Sequence, residues 1–291
     1  MQNTFFIYAK SLDTEQIAQF AELSQATLIG TTHYLDYQIA FFDGKVTACL
    51  RQKAQSVQAD FSLLDIKPNL DRPGLLVMDM DSTAIKIECI DEIAKLAGTG
   101  EIVSAITASA MRGELDFEQS LRKRVGTLEN APESILQQVR EKLPLMDGFE
   151  LMVDILKSHG WKLAIASGGF DYFADYLKQT YGLDYAVSNQ LEIIDGKLTG
   201  KVLGKVVDAQ YKAETLKALA EHFDIPTSQW VAVGDGANDL PMLMHAALGV
   251  ALHAKPKVQE QAEYVVNFGD LSALVLLLNA KDLFNQVIRG K

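Results

Sequence analysis

LLVMDMDST, residues Leu75 to Thr83, decides how this chain is read. Four apolar residues run without alternation into Asp79, and a second carboxylate, Asp81, follows two residues later. A short, continuously apolar run reads as a strand covered on both faces, as in a parallel sheet. Ligands of open parallel sheets bind beyond the carboxyl ends of the strands. Asp79 and Asp81 therefore stand where a ligand is expected.

Outward from this run the pattern repeats. WKLAIAS (161–167), YAVSN (185–189), WVAVGD (230–235), LGVAL (248–252) and YVVN (264–267) are further strand-like runs. GFELMVDILKSHG, FDYFADYLKQTYG and YKAETLKALAEHF are helical patterns between them. The alternation predicts a Rossmann-like, doubly wound α/β domain. Residues 88–145 contain no obvious strand and read as several helices, an insertion large enough to be a cap. LEIIDGKLTGKVLG (191–204) reads as a hairpin turning at Asp195–Gly196.

The first 70 residues differ. TFFIYA, TTHYLDYQIAFF and KVTACLRQ read as strands and TEQIAQFAELSQ as a helix, which predicts a small N-terminal α/β domain. KPNLDRPG (67–74) is the best boundary. The expected division is 1–70 and 71–291, and a chain starting near Asp71 is expected to fold and work.

Composition narrows the function. At 291 residues, 48% hydrophobic and 22% charged, the chain fits a globular protein with one large and one smaller domain. A net charge of −11 argues against nucleic-acid and membrane partners. It also repels phosphorylated metabolites, so a site for one must gather local positive charge. Cys49 and Cys89 form neither a disulfide framework nor a zinc spacing, and Cys89 reads as a buried thiol. No signal peptide and no apolar run of about 18 residues is found, so a cytoplasmic location is expected.

The other strand ends complete a constellation. They are Ser167-Gly168-Gly169 and the segment Gly234-Asp235-Gly236-Ala237-Asn238-Asp239, with Lys212 at the start of a helix near the same edge. Several carboxylates in one place repel each other unless a cation lies among them. Oxygen ligands suit Mg²⁺, a glycine pair lets backbone N–H groups approach a phosphate, and a lysine supplies a point charge.

DMDST, SGG, Lys212 in YKAETL and GDGAND, in that order, resemble the four motifs of the haloacid dehalogenase-like phosphohydrolases. IECIDEIAKLAG, FEQSLRKRV, ASGGFDYFADYL, DGKLTG and GDGANDLPML bring the resemblance closer, to the phosphoserine phosphatases, over roughly residues 75–285. The resemblance implies hydrolysis of O-phospho-L-serine through an aspartyl-phosphate, the last step of serine biosynthesis. It implies Asp79 as nucleophile and Asp81 as general acid–base. Mg²⁺ would be held by Asp79, the Asp81 backbone carbonyl and Asp235. Ser167, Gly168 and Lys212 would hold phosphate, Asn238 would also face the substrate, and Asp239 would support Lys212 or the metal. In the cap, Glu88 would meet the amino group and Arg124 the carboxylate, with Met111 and Phe117 as apolar lining.

Other readings stay open at this level. A phosphatase or phosphotransferase for another small metabolite, such as homoserine phosphate, would keep the chemistry and differ in the cap. A receiver-type signalling module also accepts phosphate on a strand-end aspartate, but lacks an acid–base carboxylate two residues on and a large cap. The N-terminal segment is either a module resembling the regulatory ACT-like domains or a stabilising or dimerising appendage, and a homodimer would form through it.

Overall fold

Side chains of Leu75–Met78 alternate between two cores. Leu76 and Met78 enter a large core on one side of the sheet, and Leu75 and Val77 a smaller one on the other. Both faces are dry, which is why the run shows no polar alternation.

The structure is a computed structural model describing residues 3–290. Its strands are β1 (Thr4–Ala9), β2 (Thr27–Tyr34), β3 (Tyr37–Asp43), β4 (Asp60–Leu63), β5 (Leu75–Met78), β6 (Lys162–Phe170), β7 (Tyr185–Ile194), β8 (Lys197–Leu203), β9 (Trp230–Gly234), β10 (Leu248–Leu252) and β11 (Tyr264–Val266). The last seven form one sheet in the order β11-β10-β9-β5-β6-β7-β8. Only β8, paired to β7, runs antiparallel in it. From β5 the chain winds one way through β6 and β7, then returns to add β9 on the other side of β5. The switch point therefore lies at the carboxyl ends of β5 and β9, where ligands bind in such sheets. The expected doubly wound sheet is present.

The insertion after β5 is helical, as expected. Cys89–Ala97, Gly100–Met111, Phe117–Gly126 and Ser134–Arg140 form the cap. Its two connections to the body run side by side, since Ile85 bridges Leu145 in antiparallel fashion. The β7–β8 hairpin turns at Asp195 (φ 50°) and Gly196 (φ 72°), the left-handed pair that tight hairpins require. It carries the cap: Asn130 N–H donates to the Leu198 carbonyl at 2.8 Å, and Glu133 N–H to the Gly196 carbonyl at 2.9 Å.

The N-terminal sheet has the order β2-β3-β1-β4, all neighbours antiparallel. With helices Thr14–Ser24 and Leu50–Ser56 this is a βαββαβ, ferredoxin-like arrangement. One expected strand is corrected. KVTACLRQ runs into helix Leu50–Ser56, because Leu50 and Ala54, four apart, are buried together. The fourth strand is instead Asp60–Leu63. Helix Ala273–Arg289 was not expected either. Its LVLLL run is buried almost all round, since it lies between the two sheets, with Phe284 against Phe41 at 5.3 Å.

The two sheets thus share a core, and a polar clasp fixes their relation. The buried Asp60 carboxylate accepts the N–H groups of Asn267 (2.7 Å), Phe268 (3.0 Å) and Gly269 (2.7 Å). Tyr37 and Lys10 grip Asp270 beside them, at 3.1 and 2.6 Å. Removing the Asp60 carboxylate orphans three donors in a dry interface. We expect Asp60→Ala to cost about 3 kcal/mol or more in urea unfolding, and Asp60→Asn, which keeps one acceptor, to cost less. An unchanged unfolding midpoint would show the clasp to be energetically idle.

Candidate active site

Asp79 leaves β5 in extended conformation and its Oδ1 accepts the N–H of Met80 at 2.7 Å. Its Oδ2 lies 2.9 Å from Lys212 Nζ. After Asp81 the chain enters a wide turn through Ser82, whose φ is 56°. That turn returns Ser82 N–H to the Ile87 carbonyl and starts the cap. It leaves the Asp81 carboxyl buried, with Oδ1 unpartnered. Burial, then the charges of Glu88 and Asp79, raise the Asp81 carboxyl well above the usual carboxylate range. A carboxyl that keeps its proton beside one that is ion-paired is the division that acid–base chemistry needs.

Lys212 is fully buried on helix Ala209–His222, which Asp208 caps by accepting the Tyr211 N–H. Its ammonium lies 2.7 Å from Asp239 Oδ1 as well as beside Asp79. Burial alone would lower its pKa, but Asp239 and Asp79 hold it above the ordinary lysine range. Asp239 spends its second oxygen on the Gly236 N–H at 2.9 Å. Both of its oxygens serve the protein, so it anchors the lysine.

Asp79, Asp235 and Asp239 bring carboxylate oxygens within 4.8 Å of one another. Burial, then Asp79 and Asp239, push the Asp235 carboxyl up to about 7, against the hydrogen bond from Thr83. Burial and Asp79 likewise push Asp239 up to about 6, opposed by Lys212. The cluster is short of positive charge despite its lysine. Its oxygen-only donors fit a hard divalent cation at Asp79 and Asp235.

The phosphate-type loop interrupts β6. Ser167 is buried and its Oγ accepts the Gly169 N–H at 3.0 Å. A Cβ on Gly169 would lie 2.9 Å from Asp81 Oδ2, so the loop closes on the Asp81 carboxyl. A Cβ on Gly168 would strike the cap residue Phe117 at 2.6 Å, so the cap lies over the loop and helps to keep water out. Asn238 is half-buried beside Gly236 at the end of β9.

The cap residues also reach the site. Glu88 is exposed at the mouth and accepts the Ser82 hydroxyl at 2.7 Å. Arg124 is half-buried and its Nε has no partner. Burial lowers the Arg124 pKa, while Asp91, Glu88 and Asp81 oppose this, which puts the guanidinium in the field of the site. Met111 departs from expectation: at 65% exposure, it is not enclosed as apolar lining. Cys89 is buried, as expected. Asn189 is the residue passed over. It ends YAVSN, where a polar residue closing an apolar run was the only signal.

This strand order, with the Asp79 and Asp81 carboxyls and Lys212 at its switch point under a helical cap, is the arrangement of a phosphoryl-transfer hydrolase. The haloacid dehalogenase-like hydrolase family model matches residues 74–246. The phosphoserine phosphatase of Haemophilus influenzae is 57% identical over 96% of this chain and 89% of its own. The crystal structure of a probable phosphoserine phosphatase from Vibrio cholerae, unliganded, superposes with a TM-score of 0.88 at 49% identity, covering 98% of this chain and 89% of that one. A structure described as a phospho-aspartyl intermediate analogue of phosphoserine phosphatase superposes with a TM-score of 0.66 at 42% identity, over 70% of this chain and 98% of that one. The chain belongs to the phosphoserine phosphatases of the haloacid dehalogenase-like hydrolases.

A pH prediction follows from the crowded carboxylates. In the folded protein Asp235 holds its proton up to about 7, whereas an unfolded carboxyl loses it near pH 4. Between those values the folded state binds more protons, so this group's contribution to stability falls as pH rises. A divalent cation reverses the effect by favouring the ionised form. In thermal melts the cation-induced rise should be larger near pH 8 than near pH 6. An equal or larger rise at the lower pH would contradict the assignment.

Proposed function

We propose that this chain hydrolyses O-phospho-L-serine to L-serine and phosphate through an aspartyl-phosphate on Asp79, with Mg²⁺ as its cation. One observation carries the substrate reading. Arg124, whose Nε has no partner, and Glu88 both stand in the cap, and each feels the charge of the buried pair, Glu88 that of Asp79 and Arg124 that of Asp81. A phosphorylated amino acid has the matching charges: a carboxylate for Arg124, an ammonium for Glu88 and a phosphate for the loop below. The named relatives support it.

Asp79 attacks phosphorus while Asp81 donates its proton to the departing serine oxygen. Asp81 then takes a proton from the water that hydrolyses the aspartyl-phosphate, which splits one difficult displacement into two. Ser167, Gly168 and Lys212 hold the phosphate oxygens, and Asn238 also faces the substrate. Asp79, Asp235 and the Asp81 backbone carbonyl would hold Mg²⁺, which supplies positive charge to the transferring group. Asp239 keeps Lys212 in place.

The remaining assignments rest on less. We place residues 1–70 as a small, ACT-like module joined to a catalytic domain of 71–291, with homodimer formation through it. At a net charge of −11, neither nucleic acid nor an anionic membrane is a partner. No helix among the described residues is long and apolar enough to cross a membrane.

Two substitution tests separate chemistry from selection. Asp79→Asn should abolish turnover of every phosphate ester, and Asp81→Asn should be slow while still binding cation. Excess chelator should silence the wild type, and full activity in Asp79→Asn or in chelator would sink the mechanism. Arg124→Ala should cost on the order of 2–5 kcal/mol in kcat/KM for phosphoserine. It should leave an aryl phosphate, which has no carboxylate, nearly untouched. Equal losses on both substrates would make Arg124 structural.

A further inference from the structure

The loop that meets phosphate is a break in the sheet. Ala166 pairs with Val187 and Phe170 with Asn189, so three residues of β6 face one of β7 between those pairs. Ser167-Gly168-Gly169 holds two residues in excess, and the ladder offers its peptide groups no regular partner. A bulge next to a site needs something else to set its peptide planes.

Asn189 is that partner. It is 1% exposed. Its Nδ2 donates to the Gly168 carbonyl at 2.8 Å, and its Oδ1 accepts the Val207 N–H at 2.8 Å. The two partners fix which end is which, because a carbonyl can only accept and an N–H can only donate. In a trans peptide the carbonyl and the next N–H point opposite ways. Anchoring the Gly168 carbonyl towards Asn189 therefore turns the Gly169 N–H the other way, onto Ser167 Oγ at 3.0 Å. With Ser167 Oγ accepting that bond, its hydroxyl proton is free for a phosphate oxygen. The other half of the amide holds Val207, one residue before Asp208, which caps the helix of Lys212.

We infer that Asn189 is a positioning residue for the phosphate subsite, joining the Ser167–Gly169 loop to the lead-in of the Lys212 helix. This builds on the proposed phosphatase activity but not on serine as the leaving group. No other short side chain presents one donor and one acceptor in a rigid plane. Aspartate would keep the Val207 bond and set a second oxygen against the Gly168 carbonyl. Alanine would lose both bonds.

The test uses the full chain with Mg²⁺ and reads the inhibition constant of inorganic phosphate, with turnover of phosphoserine and of 4-nitrophenyl phosphate. In Asn189→Asp and Asn189→Ala the phosphate inhibition constant should rise about tenfold or more. kcat/KM should fall by similar factors on both esters, because the loss lies under the phosphate. Melting curves establish that each variant is folded, and should alanine not fold, aspartate carries the test. A folded variant with the wild-type phosphate constant, or losses confined to phosphoserine, would overturn the proposal. The phosphate and aryl-ester measurements need no serine group. They stand even if phosphoserine is not the substrate, in which case only the substrate assignment fails.

Discussion

A buried ammonium between two carboxylates organises this site. Lys212 has no exposed surface, and its charge is compensated by Asp79 on one side and Asp239 on the other. Removing one partner from such a group costs about 3–5 kcal/mol, because the charge left behind cannot reach water. The arrangement therefore locks three elements: the end of β5, the helix entering β9, and the turn leaving β9. It also sets a positive charge beside the Asp79 carboxylate in a site crowded with carboxyls. The sheet order makes this possible, since β5 and β9 are neighbours only because the winding reverses between them.

The strand-end cluster and the polar cap residues occupy different layers. Asp79, Asp81, Ser167, Lys212 and Asp235 sit on the sheet's rim, on elements held by two dry cores. Glu88 and Arg124 belong to the cap, which stands on the β7–β8 hairpin and on two short connections. The N-terminal sheet reaches the body at Asp60 and Asp270, and Asp270 in turn lies against Gly148, where a Cβ would approach its Oδ1. Gly148 follows the returning cap connection by three residues, so the contact that joins the sheets also abuts the base of the cap.

What could be read from the chain, and what could not, divides along contact range. LLVMD and WVAVGD were legible because a strand dry on both faces has an unbroken apolar run and ends at the ligand edge. The hairpin was legible because Asp195–Gly196 is a local turn requirement. KVTACLRQ misled because its β-type residues describe short-range preference, while burial of Leu50 with Ala54 decides for helix. Helix Ala273–Arg289 escaped notice because its first half, Ala273 to Leu278, is buried on every side, and that unbroken apolar run masks the period of its partly exposed second half. Asn189 and Asp60 were invisible for a related reason. Each acts through backbone groups 18 to 209 residues away, and no spacing rule reports that. Lys212 was placed at the phosphate edge from the chain, but its double pairing to Asp79 and Asp239 needed the fold.

The central claim is that Asp79, held by Lys212, takes the phosphoryl group itself. Rapid acid quench of a single turnover with ³²P-labelled phosphoserine, followed by peptide mapping, measures this directly. The account predicts a transient, hydroxylamine-labile label on the peptide containing Asp79 and specifically on that residue. Phosphate released without any labelled intermediate, or a label on Asp81 or another side chain, would contradict it.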